Sequence, residues 1–136
     1  MVSDPIRIRI QSSPENLIDV RRAMARILCG TELSKEERGE VILAVDEACS
    51  NIIRHGYKND YTQPIDLDVE LTTDHFSVII SDQGIEFDVD CIKKRDICEI
   101  KPGGLGVYII YHAMDTVRYS RTKDGLNQLK MVKNLK

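Results

Sequence analysis

Two polar side chains lie one helical turn apart in a run of otherwise small and apolar residues. Glu47 and Asn51 fall within Val41–His55, where apolar residues recur at helical spacing. At about 100° per residue, Glu47, Asn51 and His55 form one stripe beside the apolar stripe. Polar groups at the edge of a buried face need partners, because burial without hydrogen bonds costs free energy. Either a bound magnesium–nucleotide or water on the open face of an amphipathic helix satisfies them.

A second polar segment, Ser81–Gly84, follows the apolar run Val78–Ile80, which is typical of a strand. A carboxylate at a strand end, here Asp82, accepts a hydrogen bond from an exocyclic amine. A glycine two residues later, Gly84, lets the backbone pass close to a flat ring. A simple turn explains an isolated Asp-x-Gly equally well, since both residues favour turns.

A third segment, Lys101–Gly106, is rich in glycine and leads into an apolar helical pattern over Leu105–Met114. Backbone N–H groups at a helix start attract anions, and flexible glycines suit a lid that closes over phosphates. A glycine-rich linker is the alternative. The segment lacks the Walker A pattern, and its glycine spacing and position do not fit a Rossmann fingerprint. The motifs of eukaryotic-type protein kinases are also absent from the sequence.

The elements that must position these segments can be read from periodicity. Ile6–Ile10 alternates strictly and predicts a half-buried strand. A helix follows with Ser13 as N-cap and Gly30 at its end, and a second helix opens on a capping box at Ser34–Glu37. The remaining predicted elements are the end of that second helix near His55 and Gly56, strands over Ile65–Leu71 and Phe76–Ile80, the helix Leu105–Met114, and a hairpin of Thr116–Thr122 with Asn127–Val132 around Asp124–Gly125.

This order predicts an α+β fold, a two-layer α/β sandwich with a mixed sheet and helices on one face. We expect one domain over residues 1–136. No apolar run reaches the roughly 20 residues of a membrane span, and no signal peptide is evident, which favours a cytoplasmic protein with no membrane partner. With a net charge of −3, binding to nucleic acid through bulk charge is not expected.

Two further groups of residues carry open alternatives. The arginines Arg21, Arg22 and Arg26 form either a solvated helix face or a docking patch for an acidic protein. The four cysteines form no Cys-x-x-Cys pair, which argues against zinc. Cys29 and Cys49 fall in apolar helical patterns, so we expect both to be small buried side chains.

Taken together and in this order, the three segments resemble the motifs of the GHKL ATPases, whose ATP site is the Bergerat pocket. The Glu47/Asn51 helix is similar to their N box, Asp82-x-Gly84 to their G1 box, and Gly104-x-Gly106 to their G2 box and lid. The likeness covers nearly the whole chain. It is strongest for the compact bacterial anti-sigma-factor serine kinases, through AVDEACSNIIRHGY (Ala44–Tyr57) and GGLGVYIIYHAMD (Gly103–Asp115).

The resemblance implies roles for individual residues. Asn51 is implied as a magnesium ligand, Glu47 as the general base, Asp82 as the reader of the adenine amine, and Gly84 as space for the base. The phosphates are implied to lie against Gly103, Gly104, Leu105 and Gly106. His55 either lines the pocket or is an ordinary core or surface histidine. Lys101 and Arg95 are either near the phosphates or solvated loop cations.

The chain departs from the family pattern at three places. Gly84 is followed by Ile85–Glu86 rather than by the second glycine of the G1 box. The threonine expected after the glycine of the last hairpin is replaced in Gly125-Leu126-Asn127, so Asn127 is the candidate for that adenine-side contact. The basic residue expected before the lid glycines has Lys101 as its nearest candidate.

The implied function is that of a serine kinase, with ATP and Mg²⁺ as cofactors. By the same resemblance, such a kinase is expected to phosphorylate an anti-anti-sigma partner of the STAS type and to regulate a sigma factor by partner switching. Phosphorylation can switch partners because phosphoserine adds negative charge at an interface. The resemblance also implies a homodimer. The alternative is an ATP-dependent clamp that binds a sigma factor or other regulator without phosphoryl transfer. Glu47 favours the enzyme, since a pure binder needs no base there.

Overall fold

The structure is a computed structural model that describes residues 4–86 and 105–135, and of residues 105–107 the backbone alone. The described elements follow the predicted order. They are β1 (Ile6–Gln11), a 3-10 turn (Pro14–Asn16), α1 (Leu17–Leu28), α2 (Lys35–Asn51) with a π-helical turn (Ile52–Gly56), β2 (Pro64–Leu71), β3 (His75–Asp82), α3 (Leu105–Ala113), β4 (Thr116–Arg121) and β5 (Asn127–Asn134).

The five strands form one sheet in the order β1-β2-β3-β5-β4, and every neighbouring pair is antiparallel. The predicted mixed sheet is therefore wrong in this detail. Two helices connect β1 to β2, and β2 pairs with β1 in the antiparallel direction. β4 runs in the same direction as β3, but β5 lies between them, so these two strands never pair.

The hydrophobic core lies between the helices and one face of this sheet. Alternate residues of the strands point to that face, as the period of two predicts. The fully buried strand side chains include Ile65, Leu67, Phe76, Val78, Ile80 and Met131. The opposite face carries mainly polar residues, such as the Arg9–Asp66 ion pair. The two-layer α+β architecture is thus confirmed. No helix within the described ranges is long and apolar enough to cross a membrane.

Helix α2 begins at the predicted capping box. Ser34 Oγ accepts a hydrogen bond from Glu37 N at 3.1 Å, and Glu37 Oε1 accepts one from Ser34 N at 3.1 Å. The reciprocal pair satisfies two N–H groups that the helix cannot satisfy itself. The apolar stripe of the helix is buried as predicted: Val41, Ala44, Val45, Ala48, Ile52 and Ile53.

The first helical segment begins after Ser13 and α1 ends just before Gly30, as predicted, but the capping contacts differ from the prediction. Ser13 makes no side-chain capping bond to the helix; its Oγ donates to Glu15 Oε1 at 3.4 Å instead. The helix ends at Leu28, where Thr31 Oγ1 donates to the Leu28 carbonyl at 2.7 Å. Gly30 does not have the positive φ of a terminating glycine, and the Leu28 carbonyl is satisfied by the hydroxyl of Thr31.

The two described cysteines lie in different environments. Cys49 is buried as predicted, and burial raises the pKa of its thiol to about 12. The prediction for Cys29 is wrong, since this residue is exposed. It follows Leu28, after the last turn of α1, so the helical stripe used for the prediction no longer applies to it. Cys91 and Cys98 lie outside the described residues.

Candidate functional site

A cavity of about 520 Å³ opens between helix α2 and one end of the sheet. This volume is in the range of about 300–1,000 Å³ that is usual for ligand pockets. Its helical wall contains Ala48, Asn51 and Ile52, and Gly56 of the π-helical turn continues it. The sheet wall is formed by residues of three strands and the segment after β3. Those that matter below are Asp82, Ile85, Tyr119, Arg121, Asn127 and Leu129.

Strand register explains the chemistry of the sheet wall. Asp82 of β3 is paired with Asn127 of β5, which is paired with Arg121 of β4. Alternation places these three on the helix-facing side, in a row next to Ile80, Leu129 and Tyr119. The helix-facing side of the sheet therefore ends in a row of three polar residues, and all three line the cavity.

Asp82 is the buried acid of this row, with 7% of its surface exposed. Its Oδ1 accepts hydrogen bonds from Gly84 N at 2.8 Å and from Asn127 Nδ2 at 3.0 Å. Burial raises the pKa of Asp82, whereas these two hydrogen bonds and the charge of Arg121 act in the opposite direction. Among the described residues none is found to donate to Oδ2, so this oxygen is the acceptor available to an amine in the cavity.

Asn127 organises the acid. Its Nδ2 lies 3.0 Å from Asp82 Oδ1, 2.9 Å from the Gly84 carbonyl and 3.2 Å from the Ile85 carbonyl. Its Oδ1 accepts from Arg121 Nη1 at 2.6 Å. An amide has two N–H donors, so these three acceptors already engage them. Asn127, the candidate for the adenine-side contact, therefore lies beside Asp82. Its amide holds that carboxylate and the following loop in place.

Gly84 is required by the protein backbone itself. A Cβ at this position would lie 2.5 Å from the Gly56 carbonyl oxygen, closer than such atoms ever approach. The next residue fixes the approach, because Ile85 N donates to that same oxygen at 3.0 Å. Tyr57 Oη accepts a hydrogen bond from Gln83 N at 2.7 Å and adds a second tie. These contacts hold the end of β3 against the end of α2.

The phosphate-side candidates lie on α2 as predicted, and a third residue joins them. Asn51 is 3% exposed and lines the cavity. Its Oδ1 accepts from Arg54 Nη2 at 3.0 Å, and the same nitrogen lies 3.9 Å from Glu47 Oε2. Asn51 Nδ2 is buried without a hydrogen-bond partner among the described residues. An N–H donor in this position can hydrogen-bond to a phosphate oxygen or to water in the cavity.

The predicted stripe ends at Asn51, and His55 does not continue it. His55 is exposed and is not among the described residues that line the cavity. The helix becomes π-helical from Ile52, with the Tyr57 N–H donating to the Ile52 carbonyl at 2.8 Å. A π turn repeats after five residues rather than four. Gly56, five residues after Asn51, therefore lines the cavity in place of His55.

The glycine-rich candidates are only partly described. Lys101, Gly103 and Gly104 lie outside the described residues, as does Arg95. Leu105 and Gly106 form the first turn of α3, of which the backbone alone is described. Their predicted contacts with phosphate stay predictions.

Sequence reasoning missed several residues of the site. Gly56 escaped because a π turn has no simple sequence signal. Arg54, three residues after Asn51, had a signal in the i, i+3 spacing that brings side chains together on a helix. Arg121 becomes visible only from the register of β4 against β5.

The three arginines of α1 have different surroundings. Arg21 Nε lies 2.6 Å from Asp46 Oδ1, so this arginine ties α1 to α2. Arg22 and Arg26 are exposed on the same helix. Whether they contact a partner stays a prediction.

The cavity fits a magnesium–nucleotide. Within the described part of the chain, the buried acid Asp82 has one oxygen without a donor, and Asn51 Nδ2 in the helical wall has no acceptor. Asn51 Oδ1 has two lone pairs, so the bond from Arg54 leaves one for a metal ion. Amide oxygen is a hard ligand of the kind that Mg²⁺ prefers.

Comparison with known families agrees with this geometry. Residues 10–133 match the family described as the histidine kinase-like ATPase domain. Because the match covers most of the chain, the chain belongs to this family. The predicted GHKL membership is thereby confirmed, and the family description indicates that the chain uses ATP.

Two curated relatives are more specific in name. Serine-protein kinase RsbW of Bacillus subtilis (strain 168) is 29% identical over 125 residues, which cover 85% of this chain and 78% of that protein. Serine-protein kinase RsbW of Staphylococcus epidermidis is 29% identical over 140 residues, covering 96% and 88%. The names of both relatives agree with the resemblance to serine kinases.

Two solved structures share the fold. The RsbU and RsbW domains of Rv1364c from Mycobacterium tuberculosis align with a TM-score of 0.70 at 15% identity, over 98% of this chain and 33% of that one. The SiaB–SiaC complex from Pseudomonas aeruginosa aligns with a TM-score of 0.69 at 14% identity, over 93% and 88%. At such identities the likeness concerns the fold, and it supports the two-layer Bergerat-type architecture.

Proposed function

We propose that this chain is a serine kinase that transfers the γ-phosphoryl group of ATP to a partner protein. The observation that carries the proposal is the division of labour on α2. Asn51 lines the nucleotide cavity, whereas Glu47, one turn earlier, lines a separate groove on the protein surface. A carboxylate beside the phosphate site but outside the nucleotide cavity suits a base that receives the proton of an incoming hydroxyl.

The residues at the adenine end bind and orient the base. Asp82 Oδ2 accepts a hydrogen bond from the exocyclic amine of adenine, and Asn127 keeps the carboxylate in position through Oδ1. The apolar side chains Ile52 and Leu129 border the same cavity and suit the faces of a flat ring. This combination of an apolar slot with one charged acceptor provides both affinity and orientation.

The residues at the phosphate end position the reacting groups. Magnesium, when bound, neutralises charge on the phosphates, and Asn51 is the described residue that would hold it. Glu47 lies with Oε2 3.9 Å from Arg54 Nη2, so the ion pair restrains the carboxylate next to Asn51. Glu47 then accepts the serine proton as the oxygen attacks phosphorus. Catalysis of this kind depends mainly on positioning and charge.

The partner is proposed from the resemblance and supported by the names of the relatives. We infer a STAS-domain anti-anti-sigma protein as acceptor, with a sigma factor as the second partner. A complex of a protein with this fold is known in the SiaB–SiaC pair. We further propose a cytoplasmic, single-domain protein that forms a homodimer, whose mass in solution tests the last point.

The test is transfer of label from γ-labelled ATP to the STAS-domain protein encoded in the same genome, with magnesium present. We expect Glu47→Gln to lower the transfer rate by about 100-fold or more, as loss of a general base does, with ATP affinity kept. The matched control is Glu40→Gln on the same helix, where the carboxylate lies 3.7 Å from His112 Nε2 instead.

Three results are informative. Transfer that is lost in Glu47→Gln and kept in Glu40→Gln supports the kinase. Binding of ATP and of the partner without any transfer in the wild-type protein favours the non-catalytic clamp. Equal transfer in Glu47→Gln and in the wild-type protein would show that another group accepts the proton.

A further inference from the structure

A second groove lies along α2, and it is lined by a different set of helix residues from the nucleotide cavity. It encloses about 380 Å³ and is lined by Glu47, Ser50, Ile53 and Arg54 of the helix and its extension. Pro14 and Leu17, at the start of the first helical segment, form one wall. Asn59 and Tyr61, in the turn before β2, form the other wall.

The groove and the nucleotide cavity meet at one cluster of side chains. Arg54 lines the groove, yet it donates to Asn51 Oδ1, which belongs to the nucleotide cavity. Glu47 lines the groove and is within 3.9 Å of the same guanidinium. In phosphoryl transfer the attacking and leaving oxygens lie roughly in line on opposite sides of phosphorus. The side from which a hydroxyl attacks is therefore the side that holds the base, which is the groove.

The wall formed by the turn is held rigid by hydrogen bonds. Asn59 N donates to the Ile53 carbonyl at 2.7 Å, and Lys58 and Asn59 both have left-handed backbone with φ of 50° and 64°. Asp60 accepts from Thr62 Oγ1 at 2.6 Å, and such bonds lower the pKa of its carboxyl. The turn is thus fixed before any partner arrives.

Tyr61 is displayed on this rigid turn. Tyr61 is 47% exposed, and it is one of six large hydrophobic residues that the described chain exposes to solvent. A tyrosine on a fixed support loses little conformational entropy on binding, and such residues often dominate an interface. Protein is the matching occupant, because the groove combines this aromatic ring, apolar Pro14 and Leu17, and the charged pair at its floor.

We propose that this groove receives the serine-bearing loop of the phosphate-acceptor protein, and that Tyr61 is a main contact in its binding. The proposal rests on the proposed kinase function and names the surface through which its protein substrate reaches Glu47. The bound loop contacts Tyr61 and Asn59 on one wall and Pro14 and Leu17 on the other. Its serine hydroxyl then lies against Glu47 at the floor of the groove.

The test separates acceptor binding from nucleotide binding. Tyr61→Ala and Tyr61→Phe are compared with Ile6→Ala, which removes another exposed apolar side chain at the far end of β1. The probe is the STAS-domain protein from the same genome, with its serine intact. We measure the KM for this protein and for ATP, and separately its Kd in the presence of ADP and magnesium.

We expect Tyr61→Ala to raise both the KM and the Kd for the acceptor about tenfold, the effect of losing about 1.4 kcal/mol of contact. Tyr61→Phe is expected to lie between wild type and Tyr61→Ala. The KM for ATP stays within twofold in all variants, and Ile6→Ala behaves as wild type. An unchanged acceptor Kd in Tyr61→Ala, or an equal change in Ile6→Ala, would show that the acceptor does not bind in this groove.

The outcomes distinguish the groove from the kinase. If the wild-type protein binds the acceptor in a Tyr61-dependent way but transfers no phosphate, the groove stands and the kinase function fails. If transfer occurs and Tyr61→Ala leaves it unchanged, the kinase function stands and the groove fails. Absence of both binding and transfer in the wild-type protein rejects both proposals.

Discussion

Arg54 is the residue that connects the two halves of the site. Asn51 belongs to the nucleotide side and Glu47 to the groove side, and the guanidinium of Arg54 contacts both. Glu47 and Asn51 lie one turn apart on α2, and Arg54 follows in the π-helical turn that continues the helix, so no loop has to close to assemble them. Groups that are mounted on one rigid helix keep their relative positions with little loss of entropy, which is what phosphoryl transfer needs.

Asp82 makes function and stability compete at a single residue. Burial raises the pKa of Asp82, so at neutral pH the folded state carries an ionised carboxylate at a cost. Asparagine keeps the acceptor oxygen for Asn127 and Gly84 but has no charge. We therefore expect Asp82→Asn to raise the Tm at pH 7. At the same time it weakens ATP binding by about 10- to 100-fold, the effect of losing a charged hydrogen bond.

The pH dependence checks the cause. A raised folded pKa means that the stability linked to protonated Asp82 is complete below the unfolded value and is lost as pH rises through the folded pKa. The Tm advantage of Asp82→Asn must therefore shrink towards zero as pH falls to about 4 and below. Asp68→Asn, on the polar face of the sheet, is the control. A Tm advantage that persists at low pH would point to packing rather than charge.

The sequence located the chemistry of single residues better than their contacts. Asn51 and Asp82 line the nucleotide cavity, Glu47 lines the groove, and Gly84 N donates to Asp82 Oδ1. Motif spacing predicts such placements because it reports which element carries a residue. The spacing of Asp82 and Asn127, 45 positions apart, carries no such information. Only strand register brings them into one hydrogen-bonded pair, so the organising role of Asn127 could not be read from the chain.

At the scale of elements, periodicity predicted the order of strands and helices but not their ends or pairing. The alternation of β2 and β3 and the capping box of α2 are local signals, and they are confirmed. The π-helical turn over Ile52–Gly56 has no such local signal, and its last residue contacts the segment after β3, where Ile85 N donates to the Gly56 carbonyl. The position of β5 between β3 and β4 is set by tertiary packing and has no local sequence signal either. For this reason the sequence did not predict that every strand pair is antiparallel.

The junction of the π turn with β3 can be tested through Gly84. A Cβ there would lie 2.5 Å from the Gly56 carbonyl oxygen, so alanine must push the two backbone segments apart. We expect Gly84→Ala to lower the free energy of unfolding in urea by about 1–3 kcal/mol, the usual cost of overpacking. ATP affinity falls too, because Gly84 N hydrogen-bonds to Asp82.

Gly39 provides the matched control. It lies inside α2, and a Cβ there has no atom within 4 Å of it. Gly39→Ala should therefore raise the free energy of unfolding by about 0.5–1 kcal/mol, since alanine favours helix more than glycine does. Wild-type stability in Gly84→Ala would show that the Gly56 segment moves freely, and the proposed tight junction would be wrong.

At the scale of the whole molecule, one helix divides the protein into two working sides. The nucleotide cavity lies between α2 and the sheet, and the groove lies between α2, the start of α1 and the turn before β2. Both sides depend on α2 being held in place by its buried stripe and by the Arg21–Asp46 contact with α1. Ligand binding on the sheet side should therefore stabilise the entire fold rather than a single loop.

That coupling is measurable as a thermal shift. At a concentration of about 100 times the Kd, a ligand adds about 2.7 kcal/mol, which corresponds to roughly 10 °C in Tm for a chain of this size. We expect such a rise with ATP and magnesium and a much smaller one with ATP and EDTA. Asn51→Ala should remove the difference between these two conditions, because its buried amide oxygen is the proposed metal ligand. Asn134→Ala, exposed at the end of β5, should keep it. An equal magnesium effect in Asn51→Ala and in the wild-type protein would place the metal on other residues.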